Sequence, residues 1–202
     1  MSDTLTVCGL TIERGTKLRT YLPVPDTNVK IPLTIINGEN DGPTLLITAG
    51  IHGGEYPGIA AAMELGRDIE PEHVTGCLIM MHPVNIQGFW ARREMIVPED
   101  GKNLNRVFPG DPTGTLADKT AYLISNNFFP IADFYVDMHS GDIHESLHPY
   151  VYYPGQPTPE VEVPEAYKIP FTKVVEQAGT CAPGKETFKF EAVNDVIDAA
   201  EY

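Results

Sequence analysis

Residues 44–58 read TLLITAGIHGGEYPG, an apolar run that passes into a turn containing four glycines. A short apolar run that ends in glycine is typical of a buried strand in an α/β sheet. The turn places His52 and Glu55 three residues apart, immediately after the strand. The helical composition and apolar face of residues 58–69 predict that an α-helix follows. A buried strand, a glycine turn and a helix in this order predict one unit of an α/β fold.

The same alternation continues along the chain. Apolar runs at 75–83 and 132–141 predict two further buried strands, and residues 113–129 predict a helix entered through Thr115. Strands that alternate with helices imply a largely parallel sheet covered by helices on both faces. The remaining expectations are β-structure at 5–13 and 30–38, a turn at 37–44, a strand at 148–154, a loop at 157–165, and helices at 171–179 and 190–202.

The composition limits the classes of function. With 202 residues, 42% of them hydrophobic, the chain is long enough for one domain with a sizeable core. A net charge of −14, from 14 Lys+Arg against 28 Asp+Glu, argues against the basic surface that nucleic-acid binding needs. No apolar stretch approaches the roughly 20 residues of a membrane helix, and the first ten residues lack a signal-peptide layout. Three scattered cysteines suit a reducing compartment, so we expect a cytoplasmic protein.

Polar side chains follow three of the predicted core strands: His52 and Glu55, then Asn85, then Asp137 and His139. Ligands of open α/β sheets bind outside the carboxyl ends of the strands, where these side chains would meet. Two histidines and a glutamate form one of the standard ligand sets of catalytic zinc, so His52, Glu55 and His139 are the candidate metal ligands. Asp137 would share a strand face with His139, and an aspartate in that place commonly orients a ligating imidazole.

Each of these residues also has a structural interpretation. His52 would cap the turn, while Glu55 would stabilise the N-terminus of the following helix. His139 would be a buried structural histidine, and Asp137 would cap the end of its strand. The pattern of residues alone leaves both interpretations open.

A polar loop, EDGKNLNRVFPG at 99–110, lies between the two halves of the candidate site. Arg106 could clamp a carboxylate with its planar guanidinium, and Asn105 adds amide donors and an acceptor. Arg92 and Arg93 precede the loop and could stabilise the oxyanion of a cleaved carbonyl group. The alternative is a surface turn with a salt-bridged arginine.

Four ordered motifs resemble the succinylglutamate desuccinylase/aspartoacylase family, a branch of the zinc carboxypeptidase-like hydrolases. They are GPTLLITAGIHGGEYPG, HPVNIQGFWARR, DGKNLNRVFPG and DMHSG. The resemblance implies a three-layer, zinc-carboxypeptidase-like α/β fold with a mostly parallel central sheet and one Zn²⁺ per chain. It assigns zinc ligation to His52, Glu55 and His139, substrate carboxylate binding to Asn105 and Arg106, and polarisation of the carbonyl to Arg92 or Arg93.

We favour Arg92 for the carbonyl, because its spacing to the following motif suits the family better, and we leave Arg93 to substrate binding. The family's general base is a glutamate on a later strand, and this sequence departs from the pattern there. Glu201 lies in helical context, and Glu191 also lacks the expected surroundings. The resemblance therefore implies that residues 1–202 are an N-terminal catalytic domain, truncated before the base and before the family's C-terminal β domain. An opened sheet edge would favour homo-oligomers.

These observations predict a zinc-dependent amidohydrolase that removes an acyl group from an N-acyl amino acid or a related small amide. Two other hypotheses stay open. A metallocarboxypeptidase acting on peptide C-termini would use the same ligands. A non-catalytic metal-binding or interaction fragment would follow from the loss of the base.

Overall fold

The computed structural model describes residues 4–146, 150–153, 173–176 and 187–191. None of the helices in these ranges is long and apolar enough to cross a membrane. The strands are β1 Thr4–Val7, β2 Leu10–Glu13, β3 Thr16–Pro23, β4 Lys30–Asn37, β5 Asn40–Ala49, β6 Thr75–Met81, β7 Phe134–His139, β8 Tyr150–Tyr153, β9 Lys173–Glu176 and β10 Thr187–Glu191. The helices are α1 Tyr56–Asp68, α2 Ile86–Ala91 and α3 Leu116–Asn127, and short 3₁₀ turns lie at Pro71–His73, Leu104–Arg106 and Phe129–Ile131.

A mixed eight-stranded sheet forms the middle layer, in the order β3-β4-β6-β5-β7-β10-β8-β9. Strand β5 lies between β6 and β7 and is parallel to both. Strand β10 is parallel to β7, and β9 is parallel to β8. The β3–β4, β4–β6 and β10–β8 pairs are antiparallel. The predicted parallel arrangement is therefore confirmed for the centre of the sheet, while antiparallel pairs lie to either side.

Side chains that alternate along the strands build an apolar core on each face of the sheet. On one face, Leu46 and Ile79 belong to a cluster that also contains Ile124 of α3. On the other face, Ile47 belongs to a second cluster, against which Ile69 packs directly after α1. Helices α1 and α3 thus cover opposite faces, which is the three-layer arrangement that the sequence predicts.

Several predicted elements are confirmed, and others are wrong. Helix α3 starts after Thr115, whose N–H donates to the Asp118 carboxylate at 2.9 Å in a capping box. Strand β5 begins at Asn40, inside the predicted turn, and its register with β6 shifts between Asn40 and Thr44. Helix α2 was not predicted.

The helix predicted at 171–179 is wrong, because Lys173–Glu176 forms strand β9. Two valines there pair with β8, and β-branched side chains favour that pleated environment over a helix. The helix predicted at 190–202 is wrong at its start, since Phe190 and Glu191 belong to β10. The rest of that helix and the loop predicted at 157–165 lie outside the described residues.

Candidate metal centre

The turn after β5 depends on two glycines. Gly50 has a φ of +70°, in the left-handed region, and a Cβ there would lie 2.7 Å from side-chain atoms of Ile59 and Pro83. A Cβ on Gly53 would lie 2.3 Å from the main-chain nitrogen of Phe89. The glycines therefore allow the turn to pack against its neighbours in the fold, in particular the backbone of α2, at distances that no other residue permits.

This turn and the end of β7 bring together His52, Glu55 and His139. All three residues are buried, with relative exposures of 7%, 6% and 2%. One ligand atom from each lies within 4.8 Å of the others, and this is the one such group of potential metal ligands among the described residues. Nδ1 of His52 lies 2.6 Å from Glu55 Oε1, and Nδ1 of His139 lies 2.8 Å from Glu55 Oε2. The two imidazoles thus face one carboxylate from different sides.

Glu55 occupies the N-cap position of α1, but its side chain makes no capping hydrogen bond. Its Oε2 atom instead accepts the backbone N–H of Ser140 at 3.1 Å, directly after His139. This contact ties the turn after β5 to the turn after β7. The N-cap position of Glu55 agrees with a role at the helix N-terminus, whereas its carboxylate contacts both imidazoles, as a metal ligand would require.

The far nitrogen of each imidazole has its own partner. His139 Nε2 lies 2.8 Å from Asp137 Oδ2, the orienting contact that the spacing of these residues suggests. His52 Nε2 lies 3.1 Å from Asn103 Oδ1. Sequence reasoning missed Asn103, although it lies in the polar loop, two residues before Asn105. In both histidines these contacts leave Nδ1 facing the centre.

The electrostatics of the group fit a cation at its centre. Burial alone would lower the pKa of His139, but the charge and hydrogen bond of Asp137, together with Glu55, raise that pKa to about 10. Burial alone would raise the pKa of Glu55, but its hydrogen bonds to His139 and His52 lower it below its ordinary value. The pocket therefore favours positive charge between the imidazoles, and a divalent cation would replace the proton there.

Arg92 and Arg93 follow α2 and lie beside the turn after β5. Arg92 ends α2 in a left-handed conformation with a φ of 51°, and both side chains are exposed. The contacts to the turn run through the main chain: Gly54 donates its N–H to the Glu94 carbonyl oxygen at 3.4 Å. Both arginines are thus near the site, and their side-chain contacts do not distinguish Arg92 from Arg93.

Asn105 and Arg106 lie in the 3₁₀ turn anchored by the fully buried Leu104. The N–H of Asn105 donates to Asn103 Oδ1 at 2.9 Å, the same oxygen that faces His52. The exposed Arg106 guanidinium donates to the Asn105 carbonyl oxygen at 3.1 Å. Asn103 therefore joins this turn to the candidate metal ligands.

Asn85, the polar residue that follows β6, has a structural role. It caps α2 by accepting the N–H of Gly88 at 2.9 Å, and its amide donates to the Ile96 carbonyl oxygen at 3.0 Å. Within the described residues, these contacts engage both ends of its amide. Asn85 thus holds α2 and the segment after it, on which the arginines lie.

Sequence reasoning also missed Asp142, three residues after His139. Its Oδ1 atom is buried and has no hydrogen-bond partner among the described residues. Burial and the charges of Glu55 and Glu94 raise the pKa of Asp142, while His52 opposes that rise. An acidic side chain this close to the site makes its surroundings negative.

Strand β10 brings a further acidic position to the same edge of the sheet. Glu191 pairs with His139 in the parallel β10–β7 register, at the carboxyl ends of both strands. This placement could not be predicted from the sequence, because the segment at 190–202 has helical composition.

Comparison with known proteins yields a consistent group of relatives. The family model described as the succinylglutamate desuccinylase/aspartoacylase catalytic domain matches residues 41–194. An N-alpha-acetyl-L-2,4-diaminobutyric acid deacetylase from Halomonas elongata is 41% identical over an alignment of 128 residues, and the match covers 60% of this chain and 37% of that protein.

Solved structures of this kind are also similar. A succinylglutamate desuccinylase/aspartoacylase from Rhodobacter sphaeroides superposes with a TM-score of 0.67 at 33% identity, over 78% of this chain and 49% of that one. The product-bound ectoine utilization protein EutE (DoeB) from Ruegeria pomeroyi gives a TM-score of 0.72 at 28% identity, over 95% and 64% of the two chains. The present chain thus spans about a third of the deacetylase and about half of the Rhodobacter protein.

Proposed function

Because the chain belongs to the succinylglutamate desuccinylase/aspartoacylase family, we propose that it acts in a zinc-dependent hydrolase that removes an acyl group from an N-acyl amino acid. The observation that carries the proposal is the convergence of His52, Glu55 and His139, whose potential ligand atoms lie within 4.8 Å of one another. Two histidines and one glutamate, with a fourth position open to water or substrate, form an established ligand set of catalytic zinc.

His52, Glu55 and His139 would hold one Zn²⁺, which when bound polarises the substrate carbonyl and lowers the pKa of its water to about 7. The protein's part is to keep these side chains ready. With the metal bound, Asp137 would accept the Nε2 proton of His139 and Asn103 would accept that of His52, so that each Nδ1 lone pair would face the metal.

The arginines and Asn105 would bind the substrate. Arg92 would donate to the carbonyl oxygen as negative charge develops on it, with Arg93 nearby to contact the substrate. Arg106 and Asn105 would hold the amino-acid carboxylate. Their turn connects to His52 through Asn103, which would set the distance between the bound carboxylate and the scissile amide.

A general base is also needed for amide hydrolysis. The resemblance implies a glutamate on a later strand. The register of Glu191 with His139, at the carboxyl end of the neighbouring strand, supports Glu191 as one candidate for this base. The base would remove a proton from the attacking water and return it to the leaving amine.

The acidic surroundings favour a substrate whose amino acid carries a cationic side chain. Asp142 lies near Glu55 and Glu94, and the whole chain has a net charge of −14. A dianionic substrate such as N-succinylglutamate would meet more repulsion there than an N-acetylated diamino acid. The Halomonas relative, by its name, deacetylates N-acetyl-2,4-diaminobutyrate, which is such a molecule.

Zinc content and substrate preference test the proposal together. We expect about one zinc per chain after dialysis against metal-free buffer, and loss of that zinc in His52→Ala. His73→Ala is the matched control, because His73 is exposed on a 3₁₀ turn outside the site. Stoichiometric zinc in His52→Ala would remove His52 from the ligand set.

Turnover separates the rival functions. Release of acetate from N-acetyl-2,4-diaminobutyrate would support the deacylase, whereas preferential cleavage of short peptides at the C-terminus would support a metallocarboxypeptidase. Zinc binding without turnover of either class of substrate at high protein concentration would support a non-catalytic metal-binding fragment.

A further inference from the structure

Asp137, which orients His139, is itself held by a second pair of side chains. Thr48 lies opposite Asp137 in the parallel β5–β7 register, and its hydroxyl donates to Asp137 Oδ1 at 2.8 Å. The Thr48 Oγ1 atom also lies 2.7 Å from the hydroxyl of Tyr135. Tyr135, Asp137 and His139 alternate along β7, so their side chains lie on one face of the sheet.

The hydrogen bonds in this chain of contacts have only one possible direction of donation. The ionised Asp137 carboxylate is an acceptor only, so the Thr48 hydroxyl must donate to it. Oγ1 of Thr48 then has lone pairs but no further proton, and the Tyr135 hydroxyl must donate to it. His139 Nε2–H donates to the other oxygen of the same carboxylate. Every proton in the network therefore points toward Asp137.

Burial makes this arrangement energetically important. Thr48 is fully buried, Asp137 is 2% exposed, and Leu46 and Ile47 precede Thr48 on the same strand. A hydroxyl in such a place costs free energy unless it is hydrogen-bonded, and a valine would satisfy the packing of a buried strand. The hydroxyl gains its advantage from holding a charge, since hydrogen bonds to an ionised acceptor are the stronger class.

We propose that Thr48 and Tyr135 are positioning residues for metal binding: together they fix the Asp137 carboxylate, which keeps the proton of His139 on Nε2 and its Nδ1 directed at the metal. This inference rests on the proposed zinc site. Neither residue belongs to the candidate ligand group, and the Tyr135 hydroxyl reaches Asp137 through Thr48. Its ring is held beside Phe129, with centroids 4.9 Å apart, so the hydroxyl has little freedom to turn away.

Zinc affinity, measured by competition with a chromophoric chelator, tests the inference without relying on turnover. Thr48→Val removes the hydroxyl at nearly constant volume, and we expect zinc binding to weaken about tenfold, at the low end of the loss typical of outer partners of metal ligands. Thr48→Ser keeps the hydroxyl and should restore the affinity. Tyr135→Phe should weaken binding less, because the Thr48–Asp137 hydrogen bond remains. The double variant Thr48→Val/Tyr135→Phe should bind zinc as Thr48→Val does.

Thr34→Val is the matched control for general destabilisation. Thr34 is also buried in the sheet, and its hydroxyl also contacts an imidazole, Nε2 of His82 at 3.0 Å, outside the metal group. We expect it to lower the melting temperature of the metal-free protein, as Thr48→Val does, and to leave zinc affinity unchanged.

The outcomes separate the inference from the proposed function. If the wild type binds zinc and both Thr48→Val and Tyr135→Phe bind it with the same affinity, the inference is overturned and the proposed function stands. Equal losses in Thr48→Val and Thr34→Val would also overturn it, since the effect would then be general. If Thr48→Val does not fold, Tyr135→Phe decides the question, because it removes one oxygen from a half-buried side chain. A wild-type chain that binds no zinc would overturn both proposals.

Discussion

Replacing Asn103 with alanine should weaken both metal binding and substrate binding, by amounts that its two contacts predict. Its Oδ1 atom faces His52 Nε2 at 3.1 Å and accepts the Asn105 N–H at 2.9 Å. Alanine removes this shared acceptor, and both contacts with it, in one change. Alanine keeps the main-chain contacts of residue 103, including the hydrogen bond from the Arg106 N–H to its carbonyl oxygen.

The two losses differ in size and in the quantity that reports them. Loss of an outer partner of a metal ligand typically weakens metal affinity ten- to a hundredfold. Asn103 is a neutral acceptor at the long end of the hydrogen-bond range, so we expect about tenfold. The bond to Asn105 contributes about 1 kcal/mol, which corresponds to about a fivefold rise in KM for a substrate whose carboxylate Asn105 holds.

Chelator competition gives the zinc dissociation constant, and initial rates at saturating zinc give KM and kcat separately. Asn103→Asp is the control, because it keeps an acceptor oxygen in the same place and its charge strengthens the bond from His52. We expect zinc affinity in Asn103→Asp to equal or exceed that of the wild type. Unchanged zinc affinity in Asn103→Ala would refute the reasoning, because His52 would then need no partner on its far nitrogen.

Three further predictions concern other parts of the site and fold. Glu191→Gln should lower kcat by a factor of about a hundred or more if this residue is the base, with zinc content retained; unchanged kcat would exclude Glu191 as the base. Asp142→Asn should shift preference from N-acetyl-2,4-diaminobutyrate toward anionic N-acyl amino acids, measured as a ratio of kcat/KM values, and an unchanged ratio would contradict the role of its charge. Burial lowers the pKa of His82 below its ordinary value of 6.5, so the unfolded chain binds that proton more tightly. The contribution of neutral His82 to the free energy of unfolding should therefore be full above pH 6.5 and should fall as the pH drops below that value. Denaturant titrations should show a smaller decrease in the free energy of unfolding at low pH in His82→Gln than in the wild type.

The sequence predicts the centre of the fold well because its signals there are local. The run from Thr44 to Gly50 is apolar, the following segment has helical composition, and Thr115 can cap a helix within its own neighbourhood. Each of these elements forms where its own residues favour it. The three candidate ligands could also be selected, since they follow strands whose carboxyl ends share one edge of the sheet.

Other features depend on partners far along the chain. Asn103 reaches His52 across 51 positions, and Thr48 reaches Asp137 across 89, so no local pattern marks either contact. Strand β9 contains two valines but is too short for a clear period, and its pairing with β8 decides its conformation. Helix α2 is only six residues long, too short for an apolar stripe to appear, and its start is marked by Asn85 alone.

The contact between the glycine turn and the segment after α2 has a consequence for how such a site can diversify. Gly53 and Gly54 meet Phe89 and Glu94 through main-chain atoms, while the side chains of Arg92 and Arg93 extend into solvent. Exchanging those outward groups would leave the backbone interface intact. Evolution or design can therefore change the surface charge beside this turn, at Arg93 for example, without disturbing the backbone that positions His52 and Glu55.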